Sequence, residues 1–311
     1  MSGSNLFHIQ SMTFDDPAMP QALASRRWDI AVTGNPDVDV RSNIACAYAK
    51  AHAARHFSIQ YTPHQISVDG NVVHYTAMKS KFRGAKNLLI EATAMTCPEI
   101  LFAMRAALEL GITDISFLYL EPLEYRRRIR GRLTDHRDFD LSGNRRFRSV
   151  HGFMGNLTEL PQGQAVFFLG YEKARLGQAL EQEETLGRWQ KHAVLGVPAF
   201  EPSWEIDAIA NNVQHLASSH YQLQYAAASS VRAAYDLLNC LLQDDKLERP
   251  IVVAPLGTKP HTIGASLFLI EHNEFNRTVL LYDHPSPLQG RSTNVRRWHI
   301  HDVCSTSSTS T

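Results

Sequence analysis

The sequence predicts an α/β fold of two Rossmann-like lobes with mainly parallel sheets. Three features predict it: short apolar runs bounded by Gly or Pro, helix-period stretches between them, and the return of that strand, loop, helix, strand grammar in both halves of the chain. The 311 residues, 44% of them hydrophobic, suffice to bury a core in each lobe. The expected division is 1-125 for the N-terminal lobe, 126-160 for a basic connecting segment and 161-304 for the C-terminal lobe. The tail 305-311, only Ser and Thr with no apolar anchor, is expected to be disordered.

In chain order, the apolar run from Trp28 through Asp29 to Val32 reads as a strand ending at Thr33-Gly34. A polar loop with Pro36, Asp37 and Asp39 follows, and then a helix from about Ser42 to His56 with Ile44, Ala45, Tyr48 and Ala49 on one face. Phe57 to Tyr61 returns as a strand, and Asp69-Gly70 marks a hairpin turn. Leu88 to Ile90, a helix from beyond Pro98 to Leu110 with a Gly111 stop, and Ile115 to Leu120 form a βαβ unit.

After Pro122 the chain is rich in arginine, from Arg126 to Arg148, and lacks clear periodicity, which marks it as the connection between halves. The pattern restarts with the strand Val166 to Leu169, a helix from about Lys173 to Thr185, the apolar run Ala193 to Val197, and helices over Glu205 to Leu216 and Ala226 to Leu242. Ile251 to Val253, the loop Ala254 to Pro260, the helix Thr262 to Glu271 and the strand Thr278 to Tyr282 close the second half. A shift of 163 positions lays Leu88 on Ile251, Ile100 on Ile263, Tyr119 on Tyr282 and Pro122 on Pro285 without a gap. Internal duplication and the common length of βαβ units both explain that match.

Lys plus Arg and Asp plus Glu are 31 each, so no global charge favours DNA, RNA or an anionic membrane. Nucleic acid is not indicated. The four cysteines lie far apart, outside zinc or redox spacings, which fits a reducing compartment. No apolar stretch resembles a signal peptide or a membrane span, so a cytoplasmic location is expected.

Parallel α/β sheets bind ligands beyond the carboxyl ends of their strands, which directs attention to four loops. Ala254 to Gly264 places Gly257, Thr258, Lys259, His261 and Thr262 at a helix start, where small residues, outward amides, a hydroxyl and a point charge suit a phosphate. It matches neither the Walker loop nor the three-glycine dinucleotide fingerprint, and the competing reading is an ordinary tight connection. Gly34, Asp39, Arg41, Ser42 and Asn43 form the first crossover loop, where Ser42 or Asn43 serves equally well as a helix cap.

Glu91 with Thr93 ends a strand, and an apolar surrounding would raise the Glu91 carboxyl toward general acid or base use; a salt bridge to the arginine-rich segment is the alternative. Glu121, and Asp283 with His284, end other strands and complete a polar rim. His299-Ile300-His301-Asp302 lacks the partners of a metal site, so no metal is expected.

Three readings follow: an intracellular regulatory or sensor protein for a nucleotide-like ligand, acting as a homodimer; a nucleotide or sugar-phosphate enzyme, hydrolase or glycosyl-transferring, using Glu91; and a non-catalytic subunit of a larger assembly. No motif names a cofactor.

Overall fold

The computed structural model describes residues 6–127, 139, 141–143, 147–160, 162–172, 174–182, 184–218 and 220–306. The strands are β1 (Phe7–Phe14), β2 (Trp28–Thr33), β3 (Ala53–Thr62), β4 (Gln65–Val68), β5 (Asn71–Val73), β6 (Asn87–Glu91), β7 (Asp114–Tyr125), β8 (Gln164–Phe168), β9 (Gln190–Gly196), β10 (Tyr221–Ala226), β11 (Ile251–Pro255), β12 (Thr278–Leu280) and β13 (Ser292–Ser305). The helices are α1 (Gln21–Ala24), α2 (Val40–Ala51), α3 (Tyr75–Ser80), α4 (Cys97–Leu108), α5 (Ala174–Gln182), α6 (Trp204–Ser218), α7 (Val231–Gln243) and α8 (Lys259–Glu271). The fold is thus mixed α/β with two sheets. Among the described residues, no helix is long and apolar enough to cross a membrane.

Two compact units result, one from residues 1–124 with 289–311 and the other from 125–288. The first holds an eight-stranded sheet in the order β1-β13-β7-β6-β2-β3-β4-β5. Its centre is parallel, through the β7/β6, β6/β2 and β2/β3 pairs, while β1/β13, β3/β4 and β4/β5 are antiparallel. The second holds a five-stranded sheet, β10-β9-β8-β11-β12, parallel throughout.

Local chemistry explains most of these elements. β2, β6, β8 and β11 are apolar runs buried along almost their whole length, as strands covered on both faces must be. Asp69 and Gly70 both take positive φ, 50° and 79°, and make the two-residue turn of the β4/β5 hairpin. α2 starts at Val40 rather than Ser42, because Asp39 is its cap, and it stops at Ala51, where the chain extends into β3.

The largest departure from expectation is β13. Its 14 residues lie between β1 and β7 in the first sheet, so the second unit ends at 288 instead of continuing to 304. Ser305 pairs with Phe7 and the Thr306 amide donates to the Leu6 carbonyl, so these two residues are not tail; 307–311 lie outside the described residues. β1 and β10, unforeseen, are edge strands of mixed polarity.

The basic segment is only partly described, and what is described belongs to the second unit. Arg148 bridges Tyr282 and Ser142 bridges Pro287, while Arg127 lies over the Phe139 ring and pairs with Asp207. Arg128, Arg130, Arg132, Arg145 and Arg146 fall outside the described residues.

The two βαβ units that match by sequence also match in register. β6 sets Leu88 against Ile115 and Ile90 against Phe117; β11 sets Ile251 against Thr278 and Val253 against Leu280, each a step of 163 away. The second unit adds a close helix contact: a Cβ on Gly264 of α8 would lie 2.5 Å from the Val231 carbonyl oxygen and 2.8 Å from the Ala234 Cβ of α7. Gly264→Ala is therefore expected to destabilise the chain by about 1–2 kcal/mol, the overpacking cost exceeding the gain in helix propensity. Urea unfolding of the two proteins measures it.

Candidate functional site

Counted in chain order within its own unit, the five-stranded sheet runs 3-2-1-4-5, so successive connections reverse direction between β8 and β11. At such a reversal the loops leaving two neighbouring strands part, and a crevice opens beyond their carboxyl ends. The loops here are Leu169 to Glu172 after β8 and Leu256 to Thr258 after β11. They touch through backbone: a Cβ on Gly170 would stand 2.4 Å from the Leu256 carbonyl oxygen, and one on Gly257 would stand 3.1 Å from that of Leu169. At Gly170 no side chain fits without moving the backbone, while at Gly257 a Cβ would press on the Leu169 carbonyl and the His261 ring.

The polar residues around this point divide into those the fold consumes and those it leaves. Thr258 caps α8, its hydroxyl accepting from the His261 amide and donating to the Ala228 carbonyl at 2.6 Å. The Thr262 hydroxyl donates to the Thr258 carbonyl at 3.1 Å. Both were expected as ligand donors, and both instead serve the backbone. Asp283 is likewise internal. Arg175 grips it from two sides, Nε to Oδ2 at 2.6 Å and Nη2 to Oδ1 at 2.8 Å, and also donates from Nη1 to the Leu256 carbonyl at 2.7 Å.

Burial would push the Arg175 guanidinium down, but the Asp283 carboxylate outweighs it and holds its pKa above the ordinary value. Nearby, Glu172 accepts from the Ser142 amide and hydroxyl. Sequence reasoning missed Arg175 and Glu172, and no local spacing links Arg175 to a partner 108 positions away. Lys259 is partly buried in the first turn of α8.

His261 is different. It is fully buried, and its Nε2 lies 3.1 Å from the Ala227 carbonyl oxygen. A carbonyl only accepts, so Nε2 carries the proton and Nδ1 is left with a lone pair. Burial pushes the imidazole down to about 4, opposed by the Ala227 and Ala226 carbonyls, so the ring is neutral at pH 7. Among the described residues Nδ1 has no hydrogen-bond partner, and it faces Gly257, where a Cβ would lie 3.2 Å from it. A buried acceptor without a donor is costly, which marks it as a place for a donor to arrive.

The first unit has its own reversal, between β2 and β6, and closes it in the same manner. A Cβ on Gly34 would come within 2.7 Å of the Ala94 carbonyl carbon and the Met95 nitrogen. Around it the candidate residues assemble inward. Asp39 caps α2, taking the Ser42 amide at 2.8 Å and hydroxyl at 3.0 Å, the Ser292 hydroxyl at 2.8 Å and the Arg41 Nη2 at 3.0 Å. Arg41 is buried and donates also to Ser292 and to the Leu120 carbonyl. Burial alone would raise the Asp39 carboxyl; Arg41 and Arg291, with the Ser42 amide and Ser292 hydroxyl, hold it well below the usual carboxylate range.

Glu91, expected as acid, base or salt-bridge partner, makes a turn instead. Its Oε1 accepts from the Thr93 amide at 2.7 Å and the Ala94 amide at 3.1 Å, and Cys46 Sγ lies 3.5 Å from Oε2. Burial raises its pKa against those hydrogen bonds, and the side chain is fully buried. The Thr93 hydroxyl accepts from the Leu120 amide. Asn43 is the exposed member of this set, and with Asp39 it lines an open cavity of about 720 Å³ beside Pro36, Asp37, Gly290 and Ser292.

On β13, His299 donates from Nε2 to Glu121 at 2.8 Å and pairs through Nδ1 with Thr13, while His301 pairs through Nδ1 with Ser11. Among the described residues, no group of three or more His, Cys, Asp or Glu is placed to hold a metal ion. Fold and site together define a mixed α/β protein whose polar loop residues gather at strand ends beside helix starts. Compared with known proteins, the chain matches no family model, no curated protein and no solved structure.

Asp39→Asn is expected to cost about 3–5 kcal/mol at pH 7, since buried Arg41 and partly buried Arg291 lose their counter-charge. An unfolded Asp protonates near 3.9, whereas Asp39 in the fold stays ionised below that. Its contribution is therefore complete above about pH 4 and shrinks as pH falls toward 2, so the stability gap between wild type and variant narrows on acidification. Denaturant unfolding at several pH values reads this directly.

Proposed function

We propose that this chain is an intracellular regulatory or sensor protein built of two duplicated Rossmann-like lobes, and that its second lobe holds a nucleotide or other phosphate-bearing small ligand at the β8/β11 reversal. The observation that carries the reading is the meeting, beyond the carboxyl ends of β8 and β11, of the α8 start with Nδ1 of buried His261, which has no hydrogen-bond partner among the described residues. A helix start favours an anion through its amides and dipole, and Lys259 adds charge there. His261 asks for the opposite, a hydrogen-bond donor. A phosphorylated ligand that also presents a hydroxyl or N–H group, as a nucleotide does, meets both demands.

Duplication is supported by the common register of β6/β7 and β11/β12 under the 163-residue step. The hydrolase or glycosyl-transfer reading gains nothing from Glu91, whose oxygens face turn amides inside the first unit. A purely structural subunit would bind no small ligand tightly.

Thermal unfolding of the full chain with AMP, ribose 5-phosphate or inorganic phosphate tests the reading. A ligand at about 100 times its dissociation constant stabilises the folded state by about 2.7 kcal/mol, so AMP is expected to raise the midpoint by several degrees. Lys259→Ala should lose much of the rise, measured from its own unliganded midpoint. His261→Asn, which keeps an acceptor near the Nδ1 position, should retain more of the rise than His261→Leu. If neither AMP nor ribose 5-phosphate moves the midpoint, the assignment fails.

A further inference from the structure

The second unit treats the two edges of its sheet differently. At β12 the chain covers its own edge: the Leu280 amide donates to the Phe153 carbonyl and the Arg148 amide to the Tyr282 carbonyl. β10, at the other end, has no such cover among the described residues. It also lacks the usual protections of an exposed edge, since Tyr221–Ala226 contains no Lys, no Pro and no charged residue.

Beside this edge lies an apolar, uncharged surface. Tyr221 of β10 and Leu216 of α6 both pack against the cluster that includes Phe167, Leu176 and Leu195, which places α6 and the Tyr221 side of β10 on one face of the sheet. Side chains two apart share a strand face, so Leu223 and Tyr225 stand on that side too. They are 49% and 60% exposed. At helical spacing on α6, Ile206, Ile209 and Val213 are 51%, 40% and 50% exposed. From Pro202 to Ala228 only Glu205 and Asp207 carry charge, and Asp207 is buried against Arg127.

We propose that this face is a two-fold interface between copies of this chain, with the β10 edges paired antiparallel and the α6 stripes packed across the axis. An antiparallel edge is self-complementary in donors and acceptors, and a two-fold contact presents the same patch from both sides. Lack of charge on the β10 edge fits that occupant: Tyr221–Ala226 has no charged side chain to recruit a charged partner and none to repel its own copy. The five apolar side chains expose roughly 500 Å² per copy, so with the backbone edges a symmetric pair reaches the lower limit of a specific interface, about 1,200 Å² in total.

Sedimentation of the full chain over a wide concentration range tests this. Wild type is expected to be a dimer, and Leu223→Lys and Leu223→Glu should each raise the dissociation constant at least about tenfold through like charges meeting near the axis. Circular dichroism should show both variants folded. An equimolar mixture of the two variants should regain dimer, which a misfolded chain could not do. A wild type that is monomeric at every concentration overturns the proposal and leaves the face to a different protein. A dimer unmoved by either substitution, or a mixture that stays monomeric, overturns it as well.

Discussion

Buried guanidinium groups close the carboxyl end of each sheet, and the arrangement of every nearby loop follows from them. The ends of parallel strands gather carbonyl oxygens that water cannot reach once helices cover both faces, and a guanidinium supplies several donors at once in a fixed plane. Arg41 meets the Leu120 carbonyl and the Asp39 carboxylate in the first unit. In the second, Arg175 meets the Leu256 carbonyl and the Asp283 carboxylate. Leu120 and Asp283 are again 163 positions apart, so in each unit the arginine that follows the first crossover reaches the same place in the sheet. Such a charge is tolerated only with its carboxylate, which explains why Asp39 and Asp283 are internal.

Glycine makes this closure geometrically possible. At both reversals the loop after the first strand presses its backbone on the loop across from it, through Gly34 in one unit and Gly170 in the other. A ligand-binding crevice and a self-packed loop pair make the same demand for small residues, so glycine at these places marks close approach without saying what approaches. The polar side chains decide. In the first unit Asp39, Arg41, Ser42 and Ser292 satisfy one another; in the second, Nδ1 of His261 has no partner among the described residues.

What could be read from the chain follows the same physics. Strands buried on both faces are legible as unbroken apolar runs, and the hairpin at Asp69-Gly70 is legible because its backbone conformation restricts the residue choice. β1, FHIQSMTF, and β10, YQLQYA, are not, since an edge strand mixes polarities and β1 finds its partner across nearly the whole chain, Phe7 against Ser305. The loops at the reversals could be located from spacing alone. Their roles could not: a carboxylate such as Glu91 or a hydroxyl such as Thr258 meets a backbone group as readily as a ligand, whether that group is 2 positions along, as Thr93 is from Glu91, or 30 away, as Ala228 is from Thr258.

The two helices that open onto the reversals sharpen the difference between units. α4 begins Thr96-Cys97-Pro98-Glu99 and α8 begins Thr258-Lys259-Pro260-His261, so each places a polar side chain at the third helical position behind a proline. Glu99, an acceptor only, takes the Tyr61 amide at 2.9 Å and the Thr96 amide at 2.6 Å, and both its oxygens are met. His261 at the same position must give a proton to a carbonyl, which forces its other nitrogen to accept. At the third helical position the two units therefore differ: both Glu99 oxygens are met, whereas Nδ1 of His261, an acceptor, has no hydrogen-bond partner among the described residues.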